Sequence, residues 1–245
     1  MIGSAGRVRG GAWFEPLTHL IALAMYVLLA LAAVGLGLYE WRAHRQRLRG
    51  VEAGAAVALA PPAEPRVGVN VSLEQYADDA SMRGALRMAR NTGATAIRQR
   101  FSWAAIEPAP GDFRWEAWDH AFPMIADYGL WVVAVLDGAP RWARPEGERG
   151  NPYAPPEDLA DYARFVGAFA ARYGGRVAGY QIWDQPNISP HWGGGEIDPA
   201  EYVEMLRLAS DAIRAADPDA VIVAGGLAPN TEAGGRNMSD VQFLR

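Results

Sequence analysis

The sequence predicts an α/β chain of the (β/α)8 barrel type, cut short after a fifth strand and preceded by one transmembrane helix. Three observations carry that prediction. Five short runs rich in β-branched and aromatic residues alternate with helix-period segments from residue 66 onward. Polar side chains gather where those runs end, and an apolar stretch without Asp, Glu, Lys or Arg occupies 17–39. The expected divisions are a tail at 1–16, the membrane span at 17–39, a basic juxtamembrane segment with a Pro/Ala linker at 40–65, and the partial barrel at 66–245.

Composition narrows the chemistry. A chain of 245 residues, half of them hydrophobic, can bury a sizeable core. It contains no cysteine, which excludes disulfides, zinc–thiolate sites and thiol nucleophiles. It also contains no lysine, which excludes Schiff-base chemistry and a phosphate-loop lysine. No residue pattern calls for a cofactor or a metal. The net charge of −5 is unevenly spread: residues 1–50 hold six Arg against two Glu, whereas the remainder holds 17 Arg against 26 acids. The acidic part lacks the basic stripe that nucleic-acid binding requires.

The run Leu17 to Tyr39 is long enough, at about 1.5 Å per residue, to cross a hydrocarbon layer of about 30 Å. A buried core helix and a cleaved signal peptide are the competing readings. The run exceeds the apolar core of a signal peptide, roughly 7–15 residues, which favours a retained single-pass anchor. Arg42, Arg45, Arg47 and Arg49 follow it and only Arg7 and Arg9 precede it, so charge alone places the following domain in the cytoplasm. The carbohydrate function implied below argues for the extracytoplasmic side. From Gly50 to Pro65 small residues closed by three prolines lack the side chains for a core and read as a linker.

The strands expected next are Val67–Val71, Thr95–Phe101, Trp131–Leu136, Val177–Trp183 and Ala220–Ala224, read as buried on both faces. Between them, Leu159, Tyr162, Val166, Phe169 and Tyr173 repeat at helical spacing up to Gly174-Gly175, where a C-cap belongs. Asp198 is placed to cap the next helix, with Pro199 in its first turn and Glu201 at the capping-box position. A shorter helix is expected over Ser81–Arg90. Another spans Glu116–Tyr128, where Pro123 kinks it or marks its true start. A doubly wound nucleotide-binding sheet would need a glycine-rich turn after the first strand, but Ser72-Leu73-Glu74-Gln75-Tyr76 follows Val71. The barrel reading fits better, because Asn70, Arg98, Arg100, Trp103, Asp137, Trp142 and Trp183-Asp184-Gln185-Asn187 fall at or just beyond strand ends.

At these residues a family resemblance enters. The segment Ile97 to Trp103, with Ile106-Glu107-Pro108 and Gly111 to Trp115, resembles the second strand and loop of TIM-barrel glycoside hydrolases of the two-glutamate retaining clan, cellulase- or xylosidase-like. Val135 to Ala143 is similar to their third strand and loop, and Tyr180 to Asn187 to their fourth strand end, which normally reads Trp-Asn-Glu-Pro. The resemblance implies a carbohydrate ligand and a fourth-strand glutamate as acid/base. It also implies a seventh-strand nucleophile, with the two carboxyl groups about 5–5.5 Å apart. It places Arg98 near the nucleophile, and the position of Asp184 against the sugar 2-hydroxyl.

The chain departs from that pattern twice. Gln185 stands where the acid/base glutamate belongs, and an amide can hydrogen-bond a glycosidic oxygen but cannot exchange a proton with it. The sequence also ends after the fifth strand, so completion of the barrel by a second chain or a missing C-terminal half is expected. Asp184 is a possible substitute acid, but strand alternation points it away from the scissile bond unless the strand bulges. Arg98, Trp103, Asp137, Trp142, Trp183, Asn187 and Trp192 are the candidate substrate-binding residues. Each tryptophan has two readings, a stacking platform for a pyranose or a packing residue. His191 and Glu107 read as structural, and Glu74, Asp78, Asp79 and Glu196 as solvated acids. The expected function is a membrane-anchored glycoside hydrolase-like domain, weakly active or inactive. A membrane-tethered interaction scaffold and an active hydrolase using Asp184 are the alternatives.

Overall fold

The computed structural model describes residues 14–48 and 67–245, in two units. Residues 1–13 of the expected tail, the linker at 50–65, and Arg7, Arg9 and Arg49 lie outside the described residues, whereas Phe14–Pro16 begin the helix. The first unit is one helix, α1 (Phe14–Leu48). Within it His19–Ala43 has a mean hydropathy of 2.5. Twenty-five helical residues extend about 37 Å, so α1 is long and apolar enough to cross a membrane. It is apolar on all sides, as a helix with no solvated face would be.

The second unit is built on one parallel sheet of five strands in sequence order: β1 (Gly68–Val71), β2 (Ala96–Ser102), β3 (Trp131–Asp137), β4 (Val177–Ile182) and β5 (Ile222–Ala224). All five expected strands form, in the alternating strand–helix arrangement that parallel crossover connections require. The connecting helices are α2 (Asp79–Asn91), the single turn α3 (Trp103–Ile106), α4 (Glu116–Asp127), α5 (Leu159–Tyr173) and α6 (Pro199–Ala216). A two-residue pair, β6 (Ala233–Gly234) with β7 (Asn237–Met238), and a last turn, α7 (Asp240–Phe243), follow β5.

The helices start where side chains supply the missing acceptors. Asp198 accepts from the Ala200 amide at 2.8 Å with Pro199 next to it, as the sequence suggests. Glu201 does not close a capping box; its carboxylate accepts from the Trp192 indole at 3.1 Å and ties α6 to the loop before it. Asp78, read as a solvated acid, instead caps α2 by accepting from the Ser81 amide. α4 runs through Pro123, which lies in its interior.

The core fills the space between the sheet and its helices with aromatic rings. Phe101 of β2 lies 4.3 Å from Trp118 of α4 and 4.9 Å from Phe169 of α5, and Phe122 stacks on Tyr173 at 4.3 Å. Burial is not two-sided everywhere. In β2 the residues Ile97, Gln99 and Phe101 are buried, whereas Arg98, Arg100 and Ser102 are only half-buried. Period-two alternation sends the first set toward the helices and gives the second to the opposite, polar face. β1 and β5 are the sheet edges and are more exposed still.

Candidate functional site

On the polar face Arg98 joins three strands. Its Nε donates to Gln181 Oε1 at 2.9 Å, one Nη donates to Asp184 Oδ1 at 2.8 Å, and the other reaches Asn70 Oδ1 at 3.4 Å. Gln181, buried in β4, donates its amide to the Trp183 carbonyl at 2.8 Å and to Asp184 Oδ1 at 3.0 Å. Asp184 is therefore fixed through one oxygen by a guanidinium and a carboxamide. Its Oδ2 makes no hydrogen bond among the described residues.

The turn after β4 explains how Asp184 reaches that position. Trp183 and Gln185 have φ of 63° and 53°, in the left-handed region where L-residues cost about 1–3 kcal/mol each. Strict alternation would turn Trp183 toward Gln181 and Asp184 to the helix side. The left-handed step at Trp183 exchanges them: its ring packs edge-on to Tyr162 and Trp192, and Asp184 joins Arg98. Strand alternation, on which Asp184 was expected to approach a scissile bond from another direction than Gln185 unless the strand bulges, therefore does not run through this turn. Bonds that hold the turn include Trp183 Nε1 to the His191 carbonyl at 2.8 Å and the Gln185 amide to the Gly226 carbonyl at 2.8 Å. Gly225 lets the end of β5 approach: a Cβ there would sit 3.1 Å from the Ile182 carbonyl oxygen and from Pro186 Cδ.

Gln185 itself is half-buried, and its carboxamide makes no hydrogen bond among the described residues. A polar group with unused donors and acceptors thus stands at the end of β4, on a backbone conformation that only surrounding contacts maintain.

Asp137 ends β3 and is buried. Arg100 donates to it from Nε at 2.5 Å, and burial raises its pKa to about 6, against the opposing pull of Arg100 and with a further push from Asp184. Gly138 follows at φ 70°, a backbone conformation that L side chains rarely adopt, and a Cβ there would lie 2.7 Å from an Arg100 Nη. An acid near neutrality, two arginines and a carboxamide therefore share one end of the sheet.

The tryptophans are placed differently from a sugar platform. Trp103, Trp183 and Trp192 are 0%, 1% and 3% exposed, packed into the core. Trp103 stacks on Phe165 at 5.3 Å and donates to the Glu107 carboxylate at 2.6 Å. Trp142 is half-buried and bonds the Glu107 carbonyl at 3.1 Å, keeping part of its ring open. Glu107 is a buried structural hub, as expected, also accepting from the Gly111 amide and from Arg164. Asn187 is fully buried with both ends of its amide used: Nδ2 donates to the Ala228 and Met238 carbonyls, and Oδ1 accepts from the Ala228 amide. It clamps the β4 turn to the segment after β5. Gln181 and Gly138 were given no role in the sequence, and Gly225 was weighed only as part of a glycine-rich turn; a lone polar residue inside an apolar strand was the available signal for Gln181.

No family model matches the chain, and no curated protein matches it in sequence. Solved structures do match in three dimensions. A family 39 glycoside hydrolase from the gut symbiont Bacteroides cellulosilyticus WH2 aligns over 64% of this chain and 31% of its own, at 23% identity and a TM-score of 0.51. The exo-beta-1,4-mannosidase Op5Man5 from Opitutaceae bacterium strain TAV5 aligns over 66% and 32%, at 16% identity and 0.54. GH5_18 from Streptomyces cattleya, in complex with GlcNAc, aligns over 65% and 44%, at 19% identity and 0.53. The likeness is one of fold. The chain spans less than half the length of each of these proteins.

Proposed function

We propose that the sheet-bearing domain binds a saccharide at the C-terminal ends of β2, β3 and β4, and that it does so with little or no hydrolysis. The unused, half-buried carboxamide of Gln185 carries this reading. In the family the sequence resembles, that position faces the glycosidic oxygen, and a carboxamide there can donate a hydrogen bond but not a proton. General acid/base catalysis contributes about 10²–10⁴-fold, so its loss leaves binding as the main activity. Asp184 supports the same reading: Arg98 and Gln181 hold one oxygen, and the other is free to accept from a sugar hydroxyl. That commitment to Arg98 disfavours the alternative in which Asp184 serves as the acid. A glycan array probed with the full chain tests the proposal. Binding to at least one oligosaccharide, lost in Asp184→Ala, supports it, and an array with no bound glycan rejects it.

Burial of Trp103, Trp183 and Trp192 favours a second reading, a membrane-tethered scaffold for protein contacts, since three rings are unavailable for stacking. That reading requires biological activity to survive Asp184→Ala and Gln185→Ala. On either reading α1 serves as a single-pass anchor. Saccharide binding puts the domain on the extracytoplasmic side, and protease protection in intact cells would contradict that placement. The edges β1 and β5, with Val221 and Val223 exposed, are where further strands from the same or another chain would complete a barrel. A solution mass equal to one chain counts against a second copy in that role.

A further inference from the structure

The loops after β2 and β3 enclose a shallow hollow of about 430 Å³ lined by Pro108, Arg141, Trp142 and Arg149. In a domain with a strong excess of acids, this place has an excess of cations. Arg141 is exposed and makes no ion pair among the described residues. Among the described residues Arg149 pairs with Glu146 alone, at 3.8 Å, and that carboxylate is 89% exposed, so solvent screens the pair. Behind them Arg144 is 8% exposed. It donates from Nε to the Ala139 carbonyl at 2.7 Å and from one Nη to the Arg149 carbonyl at 3.0 Å. No carboxylate reaches it, and burial together with the charge of Arg141 lowers its pKa. Arg144 is thus a buried cation that pairs with no carboxylate among the described residues, and its two bonds shape the loop that carries Arg141 and Arg149.

An anion in the hollow would balance that charge, and planar guanidinium forks suit carboxylate and sulfate oxygens. Trp142 adds an apolar face. Its ring packs edge-on to Trp103 at 5.6 Å, with the Arg164 guanidinium 5.9 Å from its centre. At the same end of the sheet, Asp137 and Asp184 suit hydroxyl groups. A uniformly charged polyanion would meet repulsion from them and from the acidic domain, whereas a ligand carrying hydroxyls with an occasional anionic group satisfies both regions.

We propose that this hollow is a subsite for a carboxylated or sulfated sugar residue, with Arg141 and Arg149 holding the anionic group and Trp142 lying against the ring. The proposal rests on the saccharide reading and gives it a substrate class. The test is calorimetric titration of the full chain in detergent with tetragalacturonate, a sulfated carrageenan tetrasaccharide, neutral cellotetraose, and polyglutamate of matching charge. One of the two acidic sugars binds at least about tenfold more tightly than cellotetraose, the loss expected for a charge-assisted hydrogen bond. That advantage shrinks with added salt and disappears in the Arg141→Gln/Arg149→Gln double variant, whose exposed positions do not carry the fold. Equal affinity for acidic and neutral sugars, an acidic preference that survives the double variant, or polyglutamate binding as tightly as the acidic sugars would overturn the subsite and leave the saccharide reading standing. Binding of none of the three sugars overturns both.

Discussion

Arg98 on β2 and Asp184 in the turn after β4 lie 2.8 Å apart, across the intervening strand β3. Both side chains are about one-third exposed, so solvent screens the pair, and its coupling is expected on the order of 1 kcal/mol. A double-mutant cycle of Arg98→Ala and Asp184→Asn, read by urea denaturation, measures it. Zero coupling would mean that the backbone turn alone positions Asp184.

The left-handed backbone at Gln185 yields a second expectation. Gln185→Gly relieves a conformation unfavourable to L-residues and raises stability by about 1 kcal/mol, whereas Gln185→Val lowers it by more than that. The order of the three denaturation midpoints, Gly above Gln above Val, is the check.

Asp137 makes stability depend on pH with a definite sign. Its folded pKa of about 6 lies above the unfolded value of 3.8, so between them the folded state binds more protons. Stability from this group therefore falls as pH rises from about 4 to 6, and levels off above. The loss is on the order of 3 kcal/mol, from about 1.4 kcal/mol per pKa unit. Asp137→Asn removes that slope, which denaturation curves across the same window would reveal. An identical slope in the variant would place the titration elsewhere.

Gly225 has no room for a side chain. Gly225→Ala pushes a methyl carbon against the Ile182 and Trp183 carbonyls and Pro186, at a cost of about 1–3 kcal/mol. A circular-dichroism melt shows the drop, while Gly195→Ala, where a Cβ meets nothing within 4 Å, serves as the control.

The strands were legible because β-branched runs in a parallel sheet differ so plainly from the helical spacing of Leu159 to Tyr173. The cap at Asp198-Pro199 was legible for a local reason, a side chain serving its own helix. Glu201 was misassigned because its partner, Trp192, lies in a loop whose path no local pattern specifies. At the site, the sequence pointed to Arg98, Asp137, Asp184 and Gln185. Strand alternation, which was used to separate the directions of Asp184 and Gln185, does not hold through the turn after β4. Left-handed conformations at non-glycine residues leave no mark in the sequence, and both occur in this turn. For Trp103 and Trp192 the sequence left both packing and stacking open, and burial of the two rings decides for packing.

Saccharide binding at this site depends on the Gln185 carboxamide meeting a sugar. Its side-chain amide resonance in an ¹⁵N-labelled full chain, assigned by loss in Gln185→Ala, measures that contact during titration with a bound oligosaccharide. A saturable shift of this resonance together with the Arg98 Nε signal is expected, at the affinity found by calorimetry. A saccharide that binds while both resonances stay fixed would contradict it.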